Sequence, residues 1–422
     1  NSERLGKNLW TAEGAGEPIR LYAAGSDFDE AQFIVEEIRA LIKDGIAASQ
    51  IALLYRSNAQ SRVLEHALFS AVVPYRVYGG LRFFERQEIK HALAYLRLIA
   101  NPEDDTALLR VINFPTRGIG ARSIEQLQEA AREQGISLWQ AACKKGGKDN
   151  TKGVPAFVLL IESMRHETTG MDLAEQVKYL LHASGLVAHY QASKTEADRV
   201  ENLEELINAA NAFLKEYDGE RTDEMPDTLT AFLTHAALEA GDNQAQSGQD
   251  AVQLMTVHAA KGLEFHSVFI SGLEEGLCPH ENSMFEQDGL EEERRLMYVA
   301  ITRARRRLYL SFAQSRMLHG QLRYGVPSRF LQEIPEKLLK PINAPQAQAT
   351  APTAWEEPRR PASAETETGQ TFRIGQNVLH AKFGPGVIVH CHGRGVNAEV
   401  EVNFRQSGMK RLALQYAKLN PV

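Results

Sequence analysis

Cysteine is scarce: 422 residues carry three, Cys143, Cys278 and Cys391, far apart and without close metal-ligand spacing. That excludes a disulfide framework and a zinc ribbon, and a reducing, intracellular (cytoplasmic) compartment fits such usage best. No apolar run approaches the roughly 20 residues a membrane-spanning helix needs, and NSERLGKNLW at the N-terminus has no signal-peptide core. No membrane role is expected. Equally absent is a phosphate-binding loop, Gly-x-x-x-x-Gly-Lys-Ser/Thr, whose glycines let backbone N–H groups wrap phosphates while a hydroxyl holds Mg²⁺. The nearest approach, Gly146-Gly147-Lys148-Asp149, lacks both the first glycine and the hydroxyl. The chain begins at Asn1 without Met, and is expected to be an excised piece of a longer protein.

What is present reads as an ordinary globular composition. At about 100 to 200 residues per domain, two to four domains are expected. The net charge of −7 argues against a uniformly basic nucleic-acid coat, so local patches carry the electrostatics.

Residues 1–80 alternate strand and helix signals. IRLYAAG reads as a strand; Asp27 can cap a helix in which Ala31, Ile34, Val35, Ile38, Leu41 and Ile42 recur at helical spacing until Gly45. IALLYRS is a buried strand, a helix follows over about Ser61–Ser70, and PYRVYGG closes the segment. Such alternation points to an α/β fold with a parallel sheet. Residues 81–248 carry long helical patterns with almost no strand signal, and alternation resumes over 249–337. A helical subdomain is therefore expected to be inserted into one α/β domain. Between Asn343 and Thr371 there is no Ile, Leu, Val, Phe or Met, so residues 338–370 read as a flexible linker that cannot bury enough surface to offset its ordering entropy. Residues 371–422 show short alternating strands broken by Gly and Pro, the pattern of a small β-barrel, with seven Lys and Arg against two Glu. A basic module on a tether fits docking to an acidic partner. His390, Cys391 and His392 fit a barrel surface better than a metal site, since no fourth ligand is in sight; no metal site is assigned.

Chemistry concentrates at two places. In TVHAAKGLEF, Thr256, His258, Lys261 and Glu264 crowd after the apolar VQLM, at a strand end where open α/β sheets bind ligands. The same residues also suit a plain strand-to-helix turn, with Thr and His capping and Lys and Glu solvated. In EEERRLMYVAITRARRRLYL, Leu296, Val299 and Ala300 share one helical face, and Arg303, Arg305, Arg306 and Arg307, with Arg316 beyond, mark the end of that helix and the following strand and turn. Most of these would form a solvated basic surface. One arginine at a helix end beside a domain cleft is also how a phosphoryl-transfer site receives its arginine finger. A third feature, FPTRGIGARS, has a Gly-Ile-Gly turn opening a helix, which can present N–H groups to a phosphate without sequence readout, or be a plain helix start.

These stretches, together with VPYRVYGGLRFFERQEIKHALAYLRLIANPEDD, resemble the later signature motifs of the UvrD/Rep/PcrA helicases, and the resemblance extends over essentially the whole chain. It implies the second RecA-like motor domain, split by its helical insertion, plus a Tudor-like terminal barrel. By the same resemblance Glu264 meets the ATP ribose and Arg303 reaches the γ-phosphate, while Thr256 and His258 hold single-stranded DNA or couple it to the nucleotide. Arg56, Asn58 and Arg62 are assigned to DNA phosphates, with a solvated helix face as the alternative for Arg62. Arg117, Gly118, Gly120 and Arg122 are assigned to duplex DNA ahead of a fork. Lys382, Arg394, Arg405, Lys410 and Arg411 would serve docking to RNA polymerase and repair proteins. The function implied is that of part of an ATP-dependent 3′-to-5′ DNA helicase acting in repair on single strands and single-strand/duplex junctions, in the bacterial cytoplasm at the nucleoid. ATP and Mg²⁺ are its cofactors, with the Mg²⁺ ligands expected on an absent first motor domain. A non-catalytic interaction protein is the rival reading; a nuclease finds no support, because no carboxylate cluster follows the motor segment.

Lacking a phosphate-binding loop, this polypeptide alone is expected to show no ATP turnover above background in a coupled assay. It is expected to bind DNA weakly, with log affinity falling linearly as log salt rises, as counterion release demands.

Overall fold

In the computed structural model of the protein the described residues are 16–145, 152–193, 196–218, 227–241, 249–281, 283, 288–318, 321–342, 377–380, 383–392, 399–404, 408–413 and 419–421. Strand β1 (Ile19–Ala24) leads to helix α1 (Asp27–Lys43), β2 (Ile51–Tyr55), α2 (Ser61–Ser70) and β3 (Tyr75–Val77). The cap of α1 is Ser26, not Asp27: its hydroxyl accepts from the Asp29 N–H at 3.1 Å, and Asp27 opens the helix. Ala31, Ile34, Val35, Ile38 and Leu41 are buried on the face toward the sheet, whereas Ile42, in phase with them but next to the helix's last residue, is 37% exposed.

Nine helices follow among the described residues: α3 (Gln87–Ala100), α4 (Asp105–Val111), α5 (Ala121–Gln134), α6 (Leu138–Lys144), α7 (Gly153–Glu167), α8 (Leu173–Ala183), α9 (Leu186–Gln191), α10 (Ala197–Asp218) and α11 (Thr228–Gly241). They enclose a core of their own, with Tyr95, Phe157, Leu180 and Phe232 near its centre. The chain then re-enters the sheet as β4 (Val252–Thr256), β5 (Phe265–Ile270), α12 (Gly289–Ile301) and β6 (Ala304–Ala313). A hairpin, β7 (Ser315–Leu318) with β8 (Gln321–Tyr324), precedes the short helix α13 (Arg329–Gln332) and β9 (Leu339–Pro341).

The sheet order is β3-β4-β2-β5-β6-β1-β9, and every pairing is parallel. Strand β2, from before the helical block, lies between β4 and β5 from after it. Its five residues are all buried, as expected of a central parallel strand covered on both faces. One face packs on α1 and α2 through Ile34, Ile38 and Leu68, the other on α12 through Met297 and Ala300. Residues 339–341, read from sequence as the start of the linker, extend this sheet as β9 beside β1, and the Ile342 N–H bonds to the Leu21 carbonyl at 2.9 Å. The rest of the linker lies outside the described residues.

The terminal module is a five-stranded antiparallel sheet, β13-β12-β11-β10-β14, formed by β10 (Asn377–His380), β11 (Gly384–His392), β12 (Glu399–Phe404), β13 (Gly408–Ala413) and β14 (Leu419–Pro421). Val378, Val400 and Val402 are buried in it. No helix among the described residues is long and apolar enough to cross a membrane.

Arg316, read from sequence as part of a solvated basic surface, is 8% exposed. Its Nη2 meets Glu30 of α1 at 2.5 Å and Glu274 at 2.7 Å. Glu30 also accepts from the Gly272 N–H and the Ser311 hydroxyl, and Glu274 from the Ala313 N–H. One cation thus joins the first helix to the ends of β5 and β6. Burial disfavours the guanidinium charge, but Glu30 and Glu274 outweigh it and hold the Arg316 pKa above its usual value. Arg316→Ala leaves two buried carboxylates unmatched and is expected to cost about 3–5 kcal/mol. A urea-denaturation midpoint checks it.

Candidate functional site

All sheet strands being parallel, their carboxyl ends share one edge and their amino ends the other. Arg56, which follows β2, and Thr256 and His258, which end and follow β4, lie on the carboxyl edge; Glu264 and Arg303 immediately precede β5 and β6 on the amino edge. TVHAAKGLEF is therefore not one polar cluster. It crosses the sheet from edge to edge, a strand length of roughly 17 Å at about 3.3 Å per residue. The helix of the alternative strand-to-helix reading does not form after β4. Eight residues wound into a helix would reach only about 12 Å, short of that distance, and the segment instead runs as turns, with Ala260 N–H to Thr256 O, Lys261 N–H to His258 O and Leu263 N–H to Ala260 O. Gly262 sits at φ +87°, where a side chain would be strained, so the Lys-Gly pair supplies turn geometry.

At the amino edge Glu264 is exposed. The Arg303 guanidinium donates to the Val299 carbonyl at 3.0 Å, the Leu263 carbonyl at 2.7 Å and the Thr302 hydroxyl at 3.0 Å. It lies over the carboxyl end of α12, where a cation complements the helix dipole, and clamps the crossing loop one residue before Glu264. Arg305 and Arg306 are exposed on β6, and Arg307 pairs with Glu17.

At the carboxyl edge His258 is exposed, and the Thr256 hydroxyl accepts from the Ala259 N–H at 3.3 Å. Partial desolvation, then the Arg56 charge, hold the His258 imidazole below its usual pKa. Arg56 forms a forked pair with Glu293 of α12, with Nη2 to Oε1 at 2.6 Å and Nε to both oxygens at 3.0 Å. Glu293 also accepts from the His280 N–H and the Ser283 hydroxyl. Arg62, whose alternative reading was a solvated helix face, is instead buried against Glu205 of α10. Asn58 offers its carbonyl to Arg86 at 3.0 Å. Sequence reasoning missed Glu293 and Glu30, although both carried a signal: Glu293 is in phase with Met297 and Ala300, and Glu30 with Ile34 and Ile38. An acid at a core-facing position needs a buried cation.

Helix α10 meets this edge through a polar seam. Ser57 donates to Glu201 at 2.6 Å, Arg86 to Asn202 at 2.8 Å, and Asn208 to the Met317 carbonyl at 3.1 Å. Beside the seam lies a cavity of about 310 Å³ whose walls include Ser57, Gln60, Glu201, Glu205, Asn208 and His280. The hydrogen bond that His280 donates to Glu201 raises the His280 pKa; burial opposes the Glu201 charge, but His280 and Ser57 outweigh it and lower that carboxyl.

The Gly-Ile-Gly turn is built by a side chain absent from the sequence reading. Asn113 Oδ1 accepts from the Arg117 N–H at 2.9 Å and the Ile119 N–H at 3.1 Å, while Gly118 takes φ +73°. Arg117 turns inward, donating to the carbonyls of Val111, Pro115 and Ser184. Gly118, Gly120 and Arg122 are exposed. Helix α5 begins after Gly120 without a side-chain cap or an acid in its first turn, leaving its free N–H groups open to an anion. In the terminal module Lys410 is exposed on β13, which also holds Arg411; Lys382, Arg394 and Arg405 lie outside the described residues.

The raised His280 pKa fixes a pH dependence. Stability from the His280–Glu201 pair is fully present below the unfolded value of about 6.5 and is lost as pH rises through the higher folded value. The destabilisation caused by Glu201→Gln is therefore expected to shrink between about pH 6 and about pH 9, read from urea midpoints of the two proteins.

The model of the UvrD-like helicase C-terminal domain matches residues 1–315, and that of the PcrA/UvrD tudor domain matches residues 374–421. The chain is 47% identical over 430 aligned residues to DNA helicase II of Salmonella typhimurium, covering all of this chain and 58% of that relative. It is 44% identical to DNA helicase II of Haemophilus influenzae over 430 residues, with the same coverage of both. It is 38% identical over 433 residues to ATP-dependent DNA helicase PcrA of Staphylococcus epidermidis, covering 99% of this chain and 58% of that one. The chain thus spans somewhat over half the length of these relatives, and it belongs to the UvrD-like helicase family.

Proposed function

We propose that this chain supplies the nucleotide-responsive and DNA-contacting surfaces of an ATP-dependent DNA helicase, working against a separate motor domain that carries the phosphate-binding loop. The reading rests on one observation: residues 256–264 cross the sheet from the edge bearing Thr256 and His258 to the edge bearing Glu264 and Arg303, and Arg303 bonds the loop's far end at Leu263. In the resting arrangement the Arg303 guanidinium is satisfied by two carbonyls and a hydroxyl. A γ-phosphate held across the cleft offers a stronger, charged acceptor. Arg303 then leaves Leu263, and the loop carrying Glu264 is free to take the ribose at one end while the position of His258 changes at the other. Mg²⁺ would come with the ATP, held from the opposite domain.

On the DNA side Thr256, His258 and Asn58 face the strand, and Arg56 and Arg62 shape this surface from their carboxylate pairs. Arg122 and the open amino end of α5, at the Gly118–Gly120 turn, take duplex phosphate, with Arg117 as its strut. Translocation runs 3′ to 5′ and serves repair at single-strand/duplex junctions. Lys410 and Arg411, with Lys382, Arg394 and Arg405, present the terminal module to RNA polymerase or repair proteins.

Mixing this chain with a separately produced phosphate-loop motor domain is expected to restore DNA-stimulated ATPase. Arg303→Ala is expected to lower kcat by about 10³-fold or more, and His258→Ala to remove DNA stimulation while leaving ATP binding in place. A stable complex of the two parts with no turnover would sink the motor reading in favour of an interaction protein.

A further inference from the structure

Away from both edges, one cluster of side chains is unused by this function. His66 of α2 and His235 and Glu239 of α11 bring three potential ligand atoms within 4.8 Å of one another. His235 and Glu239 are one helical turn apart, so both project from one face of α11. Glu239 Oε1 lies 2.6 Å from His66 Nδ1 and 3.4 Å from His235 Nε2, and the other nitrogen of His66 faces Glu216 of α10 at 3.5 Å.

We propose that His66, His235 and Glu239 bind a divalent transition metal of the Zn²⁺ class, with Glu216 orienting His66 from behind. Four observations converge. Two imidazoles and one carboxylate are the donor set of three-ligand zinc sites, which keep a fourth position for water. The 3.4 Å separation of His235 and Glu239 matches the edge of a zinc tetrahedron, about 3.3 Å for bonds of about 2.0–2.1 Å; the shorter His66–Glu239 contact is the hydrogen bond a metal replaces. A carboxylate behind a ligating imidazole is the usual outer-shell device that fixes tautomer and ring orientation. Finally, these residues line a cavity of about 20 Å³, above the roughly 10–15 Å³ that one water-sized guest requires.

The bland alternative, a His66–Glu239 hydrogen bond and nothing more, leaves the second imidazole unexplained. His235 Nε2 instead faces the Glu239 carboxylate at 3.4 Å, the separation that an ion held between the two would take up. Charge also favours a dication. Glu239 and Glu216 face the histidines, and the one arginine among the described residues lining the cavity, Arg62, is already matched by Glu205. Phe213 and Phe232 wall the site and lower its local dielectric, which strengthens the attraction. Because α2 precedes the helical block and α11 ends it, a bound ion would fasten the first part of the sheet domain to the last helix of the insert.

The test uses the full 422-residue chain, stripped with a chelator and titrated with Co²⁺ by visible absorption and with Zn²⁺ by calorimetry. One saturating site is expected, from which Zn²⁺ displaces Co²⁺ and Mg²⁺ does not. Glu216→Gln should weaken Zn²⁺ by about tenfold to a hundredfold, and His235→Gln by more. His66→Gln should match His235→Gln; if it does not fold, the His235→Gln titration decides alone, since that change leaves the 2.6 Å His66–Glu239 hydrogen bond in place. No saturable binding by the parent chain overturns the proposal, as does stoichiometric binding that survives His235→Gln unchanged.

Discussion

The arrangement of the sheet's carboxyl edge depends on one buried cation. Arg316 stands beyond β6 and holds Glu30 and Glu274, which in turn accept from Gly272, Ser311 and Ala313. Separately each charge would be costly to bury; together they order backbone that has left the sheet's own ladder. Packing there is tight enough that a Cβ at Gly325 would stand 2.6 Å from the Ala313 carbonyl oxygen. The carboxyl edge is thereby a fixed surface, from which the Arg56–Glu293 pair and the loop after β4 take their positions.

Helix α12 and the crossing loop run between the two edges on the same side of the sheet, where Val257 and Ala260 share a core with Met297 and Ala300. Glu293, near the start of α12, fixes Arg56 at the carboxyl edge, and Arg303, just past its end, grips Leu263 at the amino edge. A rigid helix bonded to Arg56 at one end and to the crossing loop at the other joins the two edges that carry the proposed ligands. Distance alone does not separate the sites, because both are attached to one element.

Much of this was legible in the sequence, where local periodicity carries the information. Helix α2 spans Ser61–Ser70 as its pattern indicates, and β2 reads as a fully apolar strand. Motif length made the family recognisable, and the fold then sets Glu264 and Arg303 on one edge, with the Arg303 guanidinium on the carbonyl of Leu263. Illegible were the long-range partners. Arg62 and Arg316 look like surface charges until Glu205, Glu30 and Glu274 are brought from 143, 286 and 42 residues away. Nor could TVHAAKGLEF show that it bridges two edges, since that follows from strand order rather than from its own residues. Ser26 and Asp27 are both good caps, and only geometry chooses between them.

The seam between α10 and the sheet domain is made of hydrogen bonds and ion pairs, while the helical block keeps its greasy interior to itself. Parting such a joint wets groups that water can satisfy and exposes little oil. The block is therefore joined to the sheet domain by paired polar groups rather than by a shared apolar core.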